Sequence, residues 1–274
     1  VALVMSGGTE GGLSPHFLVL ARREVAGTGA GAKRLAIGHA FTRPFRPEEI
    51  GRRAQIEETA KAVRLAMAEA GIDDVADIHF VQVKCPLLTA ERMAEAASRG
   101  MSVATHDTYE SMGRSRGASA LGVALALGEV EDAAATDAAV GHDLSLFSGR
   151  ASASAGIELM HNEVVVLGNA EGWTGEAVIA HRVMQDAIDL PAIAGALADA
   201  GIASRGQLGP AERERVIAFL AKAEPSRSGA IRGARHIMWD DSDINATRHA
   251  RALVGGVAAA ALGRTELFVS GGAE

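Results

Sequence analysis

The chain has 274 residues, 48% of them hydrophobic but only 4% aromatic, and 32 are glycine, so its interiors must be built from closely packed Ala, Val, Leu and Ile. A net charge of −7 and the lack of any basic cluster interleaved with aromatics argue against nucleic acid as a partner. One cysteine, Cys85, excludes an internal disulfide framework and fits a reducing compartment, no run is long enough to span a membrane, and nine scattered histidines form no zinc-type pair.

The elements alternate as an α/β chain does. The apolar run Val1 to Met5 predicts a strand that ends on Ser6, and Leu35 to Phe41 predicts another. Pro47 to Ala70 reads as a long helix with Pro in its first turn and Gly71 past its end. Ile78 to Lys84 is a strand, Thr89 to Ser98 a helix closed by Gly100, and Gly117 to Leu127 an apolar helix closed by Gly128. Strands at Ser145 to Ser154 and Glu163 to Gly168 lead into helices at Gly175 to Ala187 and Leu190 to Ala200. Helices at Gly209 to Lys222 and Ile244 to Leu262 and a strand from Glu266 to Ser270 finish the chain.

Three short segments repeat within this frame: Ser6-Gly7-Gly8-Thr9-Glu10, Ser154-Ala155-Gly156-Ile157-Glu158 and Ser270-Gly271-Gly272-Ala273-Glu274. They lie more than a hundred residues apart, so the repeating units are whole small domains and not solenoid turns. Each serine ends an apolar or small-residue run, which reads as a strand delivering a hydroxyl to its tip. The tiny residues behind it let a ligand approach the backbone, whose amides can gather an anion. Such a serine is a nucleophile, a ligand clamp or simply the start of a glycine turn. Ser152 shares a strand face with Ser154, which leaves two candidates in the middle copy.

Only four lysines stand against 23 arginines. Lys33 and Lys61 sit in polar surroundings, whereas Lys84 and Lys222 each close an apolar run. There a lysine loses solvation and can act as a general base, although a snorkelling surface lysine gives the same pattern. A third element also recurs. Acidic residues precede Ser115-Arg116 and Thr247-Arg248, each pair opening a helix rich in Ala, Leu and Gly, so the order Lys84, Arg116, Ser154 is echoed as Lys222, Arg248, Ser270. An arginine fork suits recognition of planar carbonyl groups.

The segments Met5-Ser6-Gly7-Gly8-Thr9-Glu10-Gly11, His79 to Leu88, Asp107 to Met112, Ala151 to Gly156 and Asp241 to Arg251 together resemble the cyanuric acid hydrolase and barbiturase family, along the whole chain. The resemblance implies three homologous α/β units about a pseudo-threefold axis, an arrangement likened to a Toblerone bar. Residues 1–24 would end the first unit, which is incomplete here, residues 25–170 form the second, and residues 171–274 the third. It further implies a Ser-Lys dyad of Ser154 and Lys84, with Lys84 neutral through desolvation and nearby positive charge. Ser6 with Gly7, Ala155, and Ser270 with Gly271 would bind the substrate beside Arg116, Arg248 and Lys222. No catalytic cofactor is implied, only a structural Mg²⁺ or Ca²⁺ held by Glu224 and Ala273. The expected substrate is a cyclic imide, cyanuric acid in preference to barbiturate, and the expected protein is a cytoplasmic homotetramer. A ring-binding protein without turnover is the alternative from another class.

Overall fold

The computed structural model describes residues 2, 4, 9–26, 31–203 and 205–271. Two compact units emerge: the described parts of Val25–Ile179 make the first, and those of Ser6–Glu24 with Ala180–Gly272 make the second. Among the described residues no helix is long and apolar enough to cross a membrane.

The first unit runs β1 (Arg34–Phe41), α1 (Arg53–Ala70), β2 (Ile78–Pro86), α2 (Ala90–Ser98), α3 (Thr108–Ala126), β3 (Ala151–Gly156) and β4 (Glu163–Ala170). Its sheet has the order β1-β4-β2-β3, with β4 antiparallel to both neighbours and β3 parallel to β2. A parallel pair needs a crossover, and the stretch carrying α2 and α3 supplies it. Val81, Val83 and Cys85 of β2 are buried in one cluster with Ala153 of β3, Val164 of β4 and the α1 residues Val63 and Ala66. Alternation along a strand then places Gln82, Lys84, Ser152 and Ser154 on the other face.

Small residues let helix and sheet come close. A Cβ on Gly38 of β1 would lie 1.9 Å from the Ala66 carbonyl oxygen, and one on Gly122 of α3 would lie 2.6 Å from that of Ile56. The interface between α1 and α3 is partly polar. Gln55 Nε2 donates to Ser115 Oγ at 2.8 Å and Ser119 Oγ at 3.1 Å, while Asn162 Nδ2 donates to Thr59 Oγ1 at 2.7 Å. Asp107 caps α3 by accepting from the Glu110 amide, so this helix starts nine residues before the expected Gly117. Arg116 is therefore a mid-helix residue and not the opening of a helix.

The long helix expected from Pro47 is interrupted. Pro47–Glu49 forms a separate 3₁₀ turn, and Gly51 takes a left-handed φ of +75° before α1 begins. Buried Glu48 of that turn accepts two hydrogen bonds from Arg99, at 2.8 and 2.7 Å, fastening it to the end of α2. Chiefly through Arg99, the Glu48 carboxyl is held down to about 2 from an ordinary value of 4.5. A depressed folded-state value stabilises the fold above the ordinary one, and that contribution disappears as pH falls through about 2. Glu48→Gln should therefore lower the urea midpoint at pH 7, and parent and variant midpoints should converge as the pH is taken down towards 2. A gap that persists unchanged in acid would show that the Arg99 pair is not its cause.

The second unit comprises α4 (Leu190–Asp199), α5 (Pro210–Arg215), β5 (Leu220–Lys222), β6 (Ala230–Ile231), β7 (Ala234–Arg235), α6 (Ala246–Leu262) and β8 (Phe268–Ser270). Strands β5 and β8 pair in parallel, β6 and β7 form a hairpin, and the core gathers Ile193, Leu197, Val254, Ala258 and Leu262 with Leu13. One expected helix is absent and another is cut short. The segment from Gly175 lacks helix. Ala177 accepts from the Leu35 amide at 2.7 Å, and the Asn169 side chain exchanges two hydrogen bonds with the Ile179 backbone. The helix expected over Gly209 to Lys222 stops at Arg215, and its last three residues form β5.

Candidate active site

The strand registers build the same couple twice. Lys84 of β2 is opposite Ser154 of β3, and Lys222 of β5 is opposite Ser270 of β8. Residues in register on neighbouring strands share a face, with strands about 4.8 Å apart. Ser152 is opposite Gln82 instead, one pleat further from the strand end; its buried Oγ and the Gln82 Oε1 have no hydrogen-bond partner among the described residues. The register thus sets Ser154, and not Ser152, beside the lysine. Ala155 follows at the tip of β3, opposite Cys85.

Lys84 is 4% exposed, and its Nζ lies 2.9 Å from Glu158 Oε1. The partner found beside it is thus a carboxylate. Burial works against the Glu158 charge, but its own backbone amide, Lys84 and Arg92 outweigh it and hold the carboxyl below its usual range. On the other side of Lys84 the register partner is Glu163 of β4. Cys85, on the opposite face, is fully buried, and burial pushes its thiol up, which suits a packing role. Arg116 and Lys84 both act electrostatically on that thiol, which places the arginine's charge near the end of β2.

In the second unit Ser270 is buried, and a Cβ on Gly271 would come within 2.5 Å of the Ala223 carbonyl oxygen, so the close approach requires glycine there. Arg248 lies in the first turn of α6 and is exposed, and its charge reaches Glu10. Glu10 also pairs with Arg251 at 2.5 Å. Ser6, Gly7 and Ala273 lie outside the described residues.

Of the residues expected to hold Mg²⁺ or Ca²⁺, Glu224 pairs with the Lys222 ammonium, and Ala273 lies outside the described residues. Among the described residues no group of three or more His, Cys, Asp or Glu side chains could hold a metal ion, so any such site would depend on backbone oxygens.

The model of the amidohydrolase ring-opening proteins matches residues 1–274, the whole chain. The chain belongs to that family. As a ring-opening amidohydrolase it is a hydrolase acting on the C–N bonds of cyclic amides. It is 61% identical over 275 residues to a cyanuric acid amidohydrolase of Ectopseudomonas oleovorans, and 57% identical over 274 residues to one of Azorhizobium caulinodans. All of this chain is covered, and 75% and 74% of those relatives. The crystal structure of the A. caulinodans cyanuric acid hydrolase superposes with a TM-score of 0.89 over 99% of this chain and 74% of that one. A second solved cyanuric acid hydrolase, described as an evolutionary innovation by structural concatenation, superposes at 0.87 with 53% identity over the same shares.

Two residues near Lys84 gain a place only in the fold. Glu158 was visible as the recurring glutamate of the serine motif but carried no assigned task. Arg92 had no signal at all, because its guanidinium finds its carbonyl partners only in the folded chain.

Proposed function

We propose that this chain opens the ring of cyanuric acid by a Ser-Lys dyad, with Lys84 as base and Ser154 as nucleophile. The observation that carries the reading is the register of β2 and β3, which sets buried Lys84 beside Ser154, repeated by Lys222 beside Ser270. A ring with three equivalent carbonyls suits three such stations, and three concatenated repeat units would provide them, with Ser6 supplying the third serine. The names of the relatives given above, cyanuric acid amidohydrolases at 61 and 57% identity, support the same substrate.

In this reading Lys84 Nζ takes the Ser154 Oγ proton as the oxygen attacks a ring carbonyl, and the amides of Ala155 and Gly156 receive the oxyanion. The ring C–N bond breaks and its nitrogen takes the proton back from Nζ. Water then cleaves the ester, giving carboxybiuret and, after loss of CO₂, biuret. Ser6 with Gly7 and Ser270 with Gly271 clamp the other two carbonyls, Arg116 and Arg248 bind the ring edge, and Lys222 holds Ser270. Incubation with cyanuric acid and, separately, barbituric acid, each followed by ultraviolet absorbance, tests this. Loss of cyanuric acid alone is expected. Loss of barbiturate alone would move the chain to barbiturase activity, and binding without turnover of either ring would make it a non-catalytic ring-binding protein.

A further inference from the structure

The fifth residue of the serine motif has a place in the fold that explains its recurrence. Glu158 follows the end of β3 by two residues and turns back, so that Oε1 reaches Lys84 Nζ at 2.9 Å. The carboxylate lies against the bare Cα of Gly156, where a Cβ would sit 2.0 Å from Glu158 Oε2. The flanking backbone is strapped by Arg92 of α2, which donates to the Ile157 carbonyl at 2.7 Å, the Leu159 carbonyl at 3.2 Å and the Leu87 carbonyl at 2.5 Å. One guanidinium thereby ties the residues on both sides of Glu158 to the segment that follows β2. In the second unit Glu10, at the same motif position, likewise pairs with a cation, Arg251.

From this juxtaposition we propose that Glu158 is the positioning residue of the dyad: it fixes Lys84 Nζ over Ser154 and balances the ammonium formed when Lys84 accepts the serine proton. The inference rests on the dyad reading above. The step is simple in its accounting. The proton passes from Ser154 Oγ to the Nζ lone pair, Glu158 stays a carboxylate throughout, and its charge is opposite to the one that develops. An aspartate plays the corresponding part for the histidine of a Ser-His-Asp triad. Ammonium has no lone pair, so the resting ion pair must release one proton before Nζ can serve as base.

The charged groups near the pair come from four elements: Glu158 from the turn after β3, Glu163 in register with Lys84 on β4, Arg92 on α2, which acts on Glu158, and Arg116 on α3, which acts on the neighbouring Cys85. Removing only the Glu158 charge takes away both the group that holds Nζ in place and the counter-charge to the ammonium formed there. In Glu158→Gln, kcat for cyanuric acid is therefore expected to fall about 10- to 100-fold, the scale of losing an orienting partner, with KM changed less than about threefold. The acid limb of its pH profile should move to lower pH. Gly156→Ala, which pushes the flexible carboxylate aside, should show the same signature, and Glu158→Asp should recover part of the rate. Parent-like kcat and pH profile in Glu158→Gln would overturn the proposal. So would a lower rate accompanied by a lower melting temperature and an unmoved acid limb, which is what a merely structural glutamate would give. Lys84→Ala is measured alongside: if that variant keeps turnover, the dyad reading itself has failed and this inference falls with it.

Discussion

Ser154→Ala should abolish ring opening, with kcat falling by about 10⁴-fold or more, the scale on which loss of a covalent nucleophile is felt. The fold should survive. Ser154 is only partly buried at the end of edge strand β3, its backbone pairing with β2 does not involve the hydroxyl, and alanine fits the pleat. Unchanged circular dichroism and melting temperature would separate loss of chemistry from loss of structure. Ser152 offers the internal comparison. It shares the face but is opposite Gln82, so Ser152→Ala should keep most of the rate. Mass mapping after trapping with a slow substrate analogue should find the acyl group on Ser154 and on neither Ser6 nor Ser270. An active Ser154→Ala together with an inactive Ser152→Ala would transfer the nucleophile two residues along the strand.

Lys84→Arg should be nearly as damaging as Lys84→Ala, a loss of about 10²- to 10⁴-fold, the range attributed to a general base. Arginine keeps the positive charge and an ion pair with Glu158, but a guanidinium does not give up its proton near neutral pH and cannot accept one from serine. The comparison is informative because Lys84 is 4% exposed. Alanine would leave the Glu158 carboxylate without this ammonium, so a loss of rate there mixes charge and chemistry, while the arginine variant removes proton transfer alone. If Lys84→Arg turned over at near-parent rate and Lys222→Met did not, the base would lie with the second unit's lysine.

The strands β2 and β3 could be anticipated, because Lys84 ends an apolar run of strand length and Ser154 ends a small-residue run, although β3 begins at Ala151 and not at the expected Ser145. The equivalent place of Lys222 was harder to see. Val216 to Ala221 is a short apolar run of the kind that periodicity cannot assign, and it follows Pro210 and charged residues that do start a helix. Its strand character comes from pairing with β8, a partner 46 or more positions away that local pattern does not contain. The first turns of α3 were invisible for a different reason. Their buried stripe is Ser111, Ser115 and Ser119, hydroxyls at helical spacing whose partners are Leu88, Gln55 and Asn162, so a search for apolar residues passes over a face that is fully interior. The segment from Gly175 shows the converse. Its helix-forming composition yields to hydrogen bonds with Leu35 and Asn169 that exist only once the first sheet has formed.

The couple of Lys84 and Ser154 joins strands connected along the chain by a long crossover, and among the described residues β3 has a single neighbour in its sheet. Contacts of such sequence separation are made late, since loop closure must be completed before the parallel ladder contributes. An edge strand with one ladder is also among the first parts of a sheet to open in the native state. Recovery of activity during refolding should then lag behind recovery of helical signal, and amide exchange along Ala151–Gly156 should mark the lower bound of local stability in the first unit. In this molecule the placing of Lys84 beside Ser154 is a property of the completed sheet, so turnover by the proposed dyad would report whether β3 has docked.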